Sequence, residues 1–461
     1  MGSEETSEAA NTALQTVIRE AGCSHATLAR RVNELGRLQG EVMRYDKASV
    51  TRWLQGMQPR GNAPQYIAAS LAGLTNRPVS ASDLGFAIDP LKPVVTRALS
   101  YCEDVGETLH TLAELGSTAI ARRSLLGTVP FIASALLEPQ REWLLWLLEE
   151  ENQPTLAVVS GGGPVEQVQA MIGMFDKMDN TYGGGGVHSS IVNYLTIEVV
   201  PMLQQRGLPH HQRKQLFTSA AKLAAMAGWS SYDSAEYGLA LCNMNLAIRL
   251  CREGGDRVLG GQILAGLSHL FTNLGYPKEG VALARTGLAT AKSSGSPMGL
   301  MRLHAMAARG YAALGDGRAA TVSLGEATQA LDVSKGALQE SEWVRYLDDH
   351  YLEAEAALCH RDLGEAARAE RLAEASVAAN IERRRRQAIS RSVLATAHLQ
   401  QGRLDEAIGT ATHALDGLSG VHSERSVQAL REFRSRLANQ RNEPIVREFE
   451  RRAKPILGAA A

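Results

Sequence analysis

The C-terminal half of the chain repeats one short pattern, and each copy of the pattern contains a glycine. The four copies are Leu274-Gly-Tyr-Pro-Lys-Glu, Leu314-Gly-Asp-Gly-Arg-Ala, Arg361-Asp-Leu-Gly-Glu-Ala and Gly402-Arg-Leu-Asp-Glu-Ala. Each copy precedes an alanine-rich stretch with helical periodicity, at 281–291, 320–331, 366–379 and 407–418. A glycine ends one helix tightly, and alanines allow the next helix to approach closely. The pattern therefore predicts a series of helical hairpins.

The repeat is longer than that of the best-known helical-hairpin arrays. From Gly275 to Gly315 the interval is 40 residues, whereas the tetratricopeptide period is about 34. We expect helices about one turn longer than in that class. A similar pair of helical segments, at 216–227 and 235–252, precedes the four copies. The prediction is a tetratricopeptide-repeat-like, right-handed superhelix with a concave inner face.

The composition supports an all-α fold. Of 461 residues, 44% are hydrophobic but only 5% are aromatic, and strand-like alternation of β-branched residues is scarce. A chain of this length exceeds one compact core, so at least two units are expected.

A second feature, at residues 46–60, predicts a short helix with two different faces. Asp46 is a good N-cap because its carboxylate can accept from the free N–H groups of the first turn. Val50, Trp53 and Leu54 form one apolar stripe, and Gly56 allows the helix to end. The opposite face is polar and cationic, as insertion into the DNA major groove requires. We expect Trp53 to lie in the core.

The polar face supplies a set of candidate DNA contacts. Arginine pairs with guanine and glutamine with adenine through two hydrogen bonds each, and hydroxyls can read either base. The predicted base-reading residues are Ser49, Thr51, Arg52 and Gln55, and the predicted phosphate contacts are Arg44, Lys47 and Arg60. The alternative interpretation is a solvated helix face in a domain that binds no DNA.

The charge distribution favours the DNA interpretation. The formal net charge of the chain is −1, so no global field attracts nucleic acid. Between Arg19 and Arg77, however, nine Lys and Arg residues face four Asp and Glu residues, which leaves a surplus of five positive charges. A local positive end is the sign expected of a DNA-facing unit.

Two resemblances rest on these residues. The stretch Ser49-Val-x-x-Trp53-x-x-Gly56-x-x-Pro59 resembles the recognition helix of the xenobiotic-response-element (Cro/repressor) type of helix-turn-helix, although the connector at 37–45 is longer than the tight turn of that family. The whole chain resembles actinobacterial regulators that join such a domain to tetratricopeptide repeats. That resemblance includes Arg44–Gly61, Phe175-Asp-x-Met-Asp-x-x-x-Gly-Gly-Gly-Gly186 and Gly228-Trp-x-x-Tyr-Asp233.

The resemblance implies a role in control of development and antibiotic production. More distantly, the layout is similar to Gram-positive quorum-sensing receptors, in which repeats bind a short peptide. Asparagine can hold an extended peptide because its amide offers a donor and an acceptor together. The candidate effector-binding residues are Asn193, Asn243, Asn245, Asn273 and Asn380. Structural placement of these asparagines is the alternative.

Other motifs give no catalytic or metal constellation. The glycine run 183–186 lacks the phosphate-loop pattern and is expected to connect two helices. His210 and His211 are adjacent, so they are expected to be ordinary loop histidines. The basic run 383–386 is expected to form a solvated face with a few salt bridges. Five scattered cysteines indicate small buried side chains in a reducing compartment. We expect no enzyme activity, cofactor or metal.

These patterns predict four regions: a helix-turn-helix domain at 1–87, a linker and helical connecting segment at 88–164, the repeat domain at 165–440 and a C-terminal tail at 441–461. The function expected is a cytoplasmic, homodimeric transcriptional regulator. It binds double-stranded DNA, and its repeats mediate dimerisation and sense a peptide, small-molecule or protein effector. The competing hypothesis is a tetratricopeptide scaffold that regulates partner proteins without binding DNA.

Overall fold

The computed structural model divides the chain into two compact units, Met1–Lys92 (unit 1) and Pro93–Ala461 (unit 2). The structure describes residues 10–38, 43–59, 63–75, 77, 79, 81, 83–86, 91–100, 102, 104–121, 129, 131–149, 163–182, 184–205, 207–336, 340–380, 383–418 and 423–458. Over these ranges the chain is helical and contains no strand, so the predicted all-α class is confirmed there. None of the helices in this part of the chain is both long and apolar enough to span a membrane.

The described part of unit 1 before residue 87 contains four helices around a small apolar core. They are α1 (Thr12–Glu20), α2 (His25–Leu38), α3 (Lys47–Leu54) and α4 (Ala63–Thr75). Each helix buries one stripe, and the fully buried side chains include Leu14, Leu28, Val32, Val50 and Ile67. The polar residues between these stripes remain outside, which is why such short helices are stable only together.

Unit 2 begins with helices that pack on the repeats. They are α5 (Leu91–Leu99), α6 (Val105–Ala121), α7 (Leu137–Glu149), α8 (Pro164–Tyr182), α9 (Gly184–Tyr194) and α10 (Val200–Gln204). A π-helical turn, Leu195–Val199, joins α9 to α10. The glycine run therefore does not simply connect helices, since Gly184 begins α9.

Five helical hairpins follow. They are α11 (His210–Asp233) with α12 (Tyr237–Gly254), α13 (Arg257–Asn273) with α14 (Pro277–Ser294), α15 (Pro297–Ala313) with α16 (Gly317–Ser334), α17 (Asp349–Asp362) with α18 (Ala366–Ala379), and α19 (Arg384–Gln400) with α20 (Leu404–Asp416). In the last four, a glycine with positive φ sits in the turn: Gly275, Gly315, Gly364 and Gly402. The repeating pattern correctly predicted these turns and the helices that follow them.

From Pro93 onward, the connecting segment predicted at 88–164 is part of unit 2 where the structure describes it. In α7, Trp143 is buried and donates from Nε1 to Thr290 Oγ1 of α14 at 3.0 Å. At the end of α5, the Ala98 carbonyl accepts from Asn245 Nδ2 of α12 at 2.6 Å. These side chains meet the repeats because alanines and glycines on the repeat helices leave room for them.

The region predicted as a C-terminal tail is also part of the packed array. Helix α21 (Glu424–Ser435) and helix α22 (Pro444–Leu457) close the chain. Val446, Phe449 and Leu457 are buried, and the rings of Phe433 and Phe449 meet edge to face at 5.9 Å. The prediction of a tail at 441–461 is corrected accordingly, because an apolar stripe recurs along α22 and needs a partner.

The first helices of successive hairpins contact one another, from α11 through α13, α15, α17 and α19 to α21. Helix α11 also contacts α21 directly. The array therefore curves until its beginning meets its end, with the first helices on the inner side. We call the side formed by these first helices the inner face.

Candidate functional site

The first candidate site is the exposed face of α3 in unit 1. Asp46 caps this helix: its Oδ1 accepts from the Ser49 backbone N–H at 2.8 Å, and Ser49 Oγ accepts from the Asp46 N–H at 3.3 Å. Hydrogen bonds from Ser49 lower the pKa of Asp46 from its ordinary value. The predicted N-cap is thus confirmed, and the helix begins at one fixed residue.

The opposite face of α3 is held by the core of unit 1. Val50 and Trp53 are buried, as predicted for Trp53. The Trp53 ring meets Tyr45 edge to face at 5.0 Å. The side-chain amide of Asn33 in α2 forms two hydrogen bonds with the backbone of Tyr45. Its Nδ2 donates to the Tyr45 carbonyl, and its Oδ1 accepts from the Tyr45 N–H, both at 2.8 Å. Sequence reasoning missed Asn33, although a side-chain amide is well suited to a backbone that has no helical partner.

The structure separates the predicted DNA contacts into three groups. Arg44, Lys47, Arg52 and Gln55 are exposed, and Thr51 is half-buried. Ser49 is buried, and its hydroxyl donates to Asp46 and accepts from the Arg52 guanidinium at 3.2 Å. Arg60 lies outside the described residues. The exposed set forms a cationic and amide-bearing surface, whereas Ser49 belongs to the cap.

One ion pair joins distant segments of unit 1. Arg77 donates to both carboxylate oxygens of Glu20, at 2.7 and 2.6 Å. The pairing uses one cation and one carboxylate, so the surplus of five positive charges is unchanged, and Arg19, Arg30 and Arg37 remain exposed. The charge available for an anionic partner therefore comes from α3 and these exposed arginines.

With this geometry in place, comparison with known families adds one finding. Residues 14–87 match the family model of the SP15 N-terminal domain. The match begins in α1 and extends beyond α4, so this domain and unit 1 largely coincide. The chain matches no curated protein.

The second candidate site lies in unit 2, where five asparagines were predicted to face an effector. Asn243, Asn245 and Asn380 are buried, and each donates its amide to a backbone carbonyl. Asn193 is exposed on α9. Asn273 is exposed at the end of α13, on the inner face. In three of the five, the amide nitrogen is thus used within the fold, as a buried donor requires. The Asn245 Oδ1 is buried and has no hydrogen-bond partner among the described residues.

Asn273 belongs to a hydrogen-bonded cluster on the inner face. Its Nδ2 donates to the Tyr232 hydroxyl at 3.0 Å and lies 2.9 Å from His269 Nε2. Its Oδ1 accepts from Arg309 at 3.1 Å, and Arg309 donates to Glu355 at 2.9 Å. The cluster therefore links α11, α13, α15 and α17 through polar side chains.

The same cluster continues to the end of the array through Asp233. This buried carboxylate accepts from Arg385 at 2.7 Å, from Arg425 at 3.0 Å and from Ser423 at 3.1 Å. Burial raises the pKa of Asp233, but Arg425 and Arg385 outweigh burial and lower this pKa to about 2. The pKa of His269 is well below its ordinary value because of burial and nearby arginines, so the imidazole is neutral.

The basic run 383–386 differs from the solvated face that was predicted. Arg383 and Arg384 are exposed, whereas Arg385 pairs with Asp233 and Asp179. Arg386 lies over the Tyr351 ring, with its Cζ 5.5 Å from the ring centroid. Consecutive helical residues point in different directions, and here two of the four point toward the inner face.

Two histidine sites have ordinary surroundings. His210 and His211 are exposed at the start of α11 rather than in a loop. Glu370, Glu374 and His398 place three potential ligand atoms within 4.8 Å of one another. Arg403 is ion-paired with Glu370, however, and His398 lies 3.3 Å from the same carboxylate. Arg403 already neutralises Glu370, which disfavours binding of a cation at this group.

Proposed function

We propose that this protein is a DNA-binding transcriptional regulator of the helix-turn-helix type, with α3 as the recognition helix. The repeats of unit 2 sense an effector and mediate formation of a homodimer. The observation that carries the proposal is the two-sided construction of α3. Its buried face is fixed by the core of unit 1, while Lys47, Arg52 and Gln55 extend from the other face.

The residue types on that exposed face match the chemistry of a DNA groove. Arg52 and Gln55 have the donor geometry that reads guanine and adenine, and Thr51 can add a hydroxyl contact. Lys47 and Arg44 suit phosphates, as does Arg60, and these contacts would set the register of α3. Ser49 is not included, since its hydroxyl is already used in the cap.

Dimerisation follows from the limited surface of one such helix. A single unit of this size buries too little surface against DNA for tight specific binding. Two copies bound to paired half-sites supply the missing affinity. In the proposed mechanism, an effector binds the repeats with different affinity in two arrangements of the dimer. That difference alters the spacing of the two α3 helices and therefore the affinity for DNA.

The test is an electrophoretic mobility-shift assay of the full chain on genomic fragments, including its own upstream region, at two salt concentrations. We expect salt-dependent shifts, which Arg52→Ala weakens and Arg318→Ala leaves unchanged. Arg318 is an exposed arginine on α16 and gives a matched control for charge. Absence of salt-dependent binding to every fragment would contradict the proposal. It would favour a scaffold that regulates partner proteins.

A further inference from the structure

Two arginines on the inner face form no ion pair with the carboxylates of the hydrogen-bonded cluster described above. Arg309, Arg385 and Arg425 each have a carboxylate partner. Arg302 of α15 has none within 4 Å among the described residues, although it is only 6% exposed. It donates instead to the neutral Gln262 side chain at 2.7 Å, and its buried Nε has no hydrogen-bond partner in this part of the structure.

Arg386 of α19 is in the same situation. Its Nη1 is buried and has no hydrogen-bond partner among the described residues, and no described carboxylate forms an ion pair with it. Burial and the neighbouring positive charge of Arg383 lower the pKa of Arg386 from its ordinary value. An incompletely paired charge in a partly buried position is costly, so Arg386 would gain from an anion. At Arg302, burial lowers the pKa, but Tyr346, Tyr351 and Glu355 outweigh burial and raise this pKa, so the guanidinium stays charged and can share the same anion.

One tyrosine, Tyr351, lies against both arginines. The Arg386 Cζ lies 5.5 Å from the centroid of Tyr351, and the Tyr351 hydroxyl lies against the Arg302 guanidinium. The Arg302 Cζ lies 5.8 Å from the centroid of Tyr346. The two tyrosine rings meet edge to face at 6.4 Å. Tyr346 is 42% exposed, so this group reaches solvent through an aromatic side chain.

We propose that Arg302 and Arg386 bind the carboxylate or phosphate group of a small anionic ligand, with Tyr346 and Tyr351 against its remaining atoms. Guanidinium groups hold such oxygens through paired, charge-assisted hydrogen bonds. Tyrosine rings offer a flat apolar wall beside them. The inference rests on the effector-sensing half of the proposed function. Binding is measured without DNA, so its failure is distinct from a failed mobility shift.

The test is isothermal titration of the full chain with sodium phosphate and, separately, sodium benzoate, with sodium chloride at matched ionic strength as the reference. We expect one of the two anions to bind and to raise the thermal unfolding midpoint beyond the effect of chloride. A response to phosphate alone identifies a phosphate ligand, and a response to benzoate alone identifies a carboxylate ligand.

Three variants locate the site. Arg386→Gln and Arg302→Gln should each weaken binding at least tenfold, whereas Arg371→Gln, at an exposed arginine of α18, should bind as the wild type does. Arg386 is only half-buried, so Arg386→Gln keeps the test informative if Arg302→Gln fails to fold. The proposal is overturned if neither anion binds the wild type, or if Arg386→Gln binds as tightly as Arg371→Gln.

Discussion

The carboxylate of Asp233, the last residue of α11, accepts a hydrogen bond from the guanidinium of Arg425 at the start of α21, 192 residues later in the chain. Arg385 donates to the same carboxylate from α19. Asp233 is thus the point where the first hairpin meets the helices that end the array. The Arg425 guanidinium also lies 5.1 Å from the centroid of the Trp229 ring, which helps to hold it in place.

Replacing Asp233 should destabilise unit 2 strongly. Asp233→Asn leaves Arg425 without its carboxylate and leaves Arg385 with Asp179 alone, and removing one partner of a buried pair costs about 3–5 kcal/mol. We expect a loss of this size in denaturant unfolding followed by circular dichroism. Asp332→Asn is the control, since Asp332 forms an exposed pair with Lys335 and should lose less than about 1 kcal/mol. Equal stability of the two variants would exclude closure by Asp233.

The same carboxylate predicts a dependence of stability on pH. The pKa of Asp233 in the folded chain, about 2, lies below its ordinary value of 3.8 because Arg425 and Arg385 outweigh burial. Its contribution is therefore complete above pH 3.8 and is lost as the pH falls toward 2. The full loss is about 2 kcal/mol, and roughly half should appear by pH 3. Unfolding at pH 6 and pH 3 should show the wild type approaching Asp233→Asn; a constant difference would contradict this.

Two adjacent glycines of α13 give a matched packing test. A Cβ at Gly260 would lie 2.2 Å from the buried Trp143 ring, whereas a Cβ at Gly261 would have its nearest neighbour at 3.7 Å. Gly260→Ala should therefore lower stability by about 1–3 kcal/mol through overpacking. Gly261→Ala should raise it by about 0.5–1 kcal/mol through helix propensity. Thermal unfolding of both variants checks the pair, and the same sign for both would be inconsistent with the packing of α7 on α13.

Asn33 should matter for unit 1 in two ways. Asn33→Ala leaves the N–H and carbonyl of Tyr45 without their partner, which costs about 1–3 kcal/mol. Since Tyr45 supports Trp53 and the start of α3, we also expect weaker DNA binding. Unfolding and mobility-shift assays measure the two effects. Asn193→Ala, at an exposed position, should change neither. Unchanged stability of Asn33→Ala would show that its two hydrogen bonds do not hold α3.

Arg52 and Lys47 should affect DNA binding differently. Once a binding motif is known, Arg52→Ala should relax one base position at a cost of about 1–3 kcal/mol. Lys47→Ala should weaken all sequences alike and reduce the salt dependence. Competition binding on single-base variants of the motif distinguishes the two roles. Equal losses on every sequence for both variants would remove Arg52 from base reading.

Local features of this fold were largely predictable from the sequence. Asp46 was identified as a cap, and Trp53 as a core residue, because both depend on neighbours within a few positions. The turn glycines Gly275 and Gly315 were predictable for the same reason, since only the local backbone conformation decides them.

Features that depend on distant partners were not predictable. Nothing in the periodicity around Asn245 shows that its amide reaches Ala98, and nothing near Asp233 indicates Arg425. The sequence predicts a tail over 441–461, whereas α22 packs there because Phe449 meets Phe433 of the preceding helix. The effector-binding role of the asparagines stays a prediction; the burial of Asn243, Asn245 and Asn380 depends on neighbours that the local sequence does not show. The surroundings of Arg302 and Arg386 depend on the fold in the same way.

The meeting of α11 with α21 has a consequence for how this protein can change in evolution. Open arrays of helical hairpins gain or lose copies by duplication and deletion, since each copy contacts only its neighbours. Here the insertion or loss of one hairpin would move Arg425 away from Asp233 and leave a buried charge on each side. The contact between α11 and α21 therefore fixes the number of hairpins. Sequence change in the array is then confined to substitutions of residues on the surface of the hairpins.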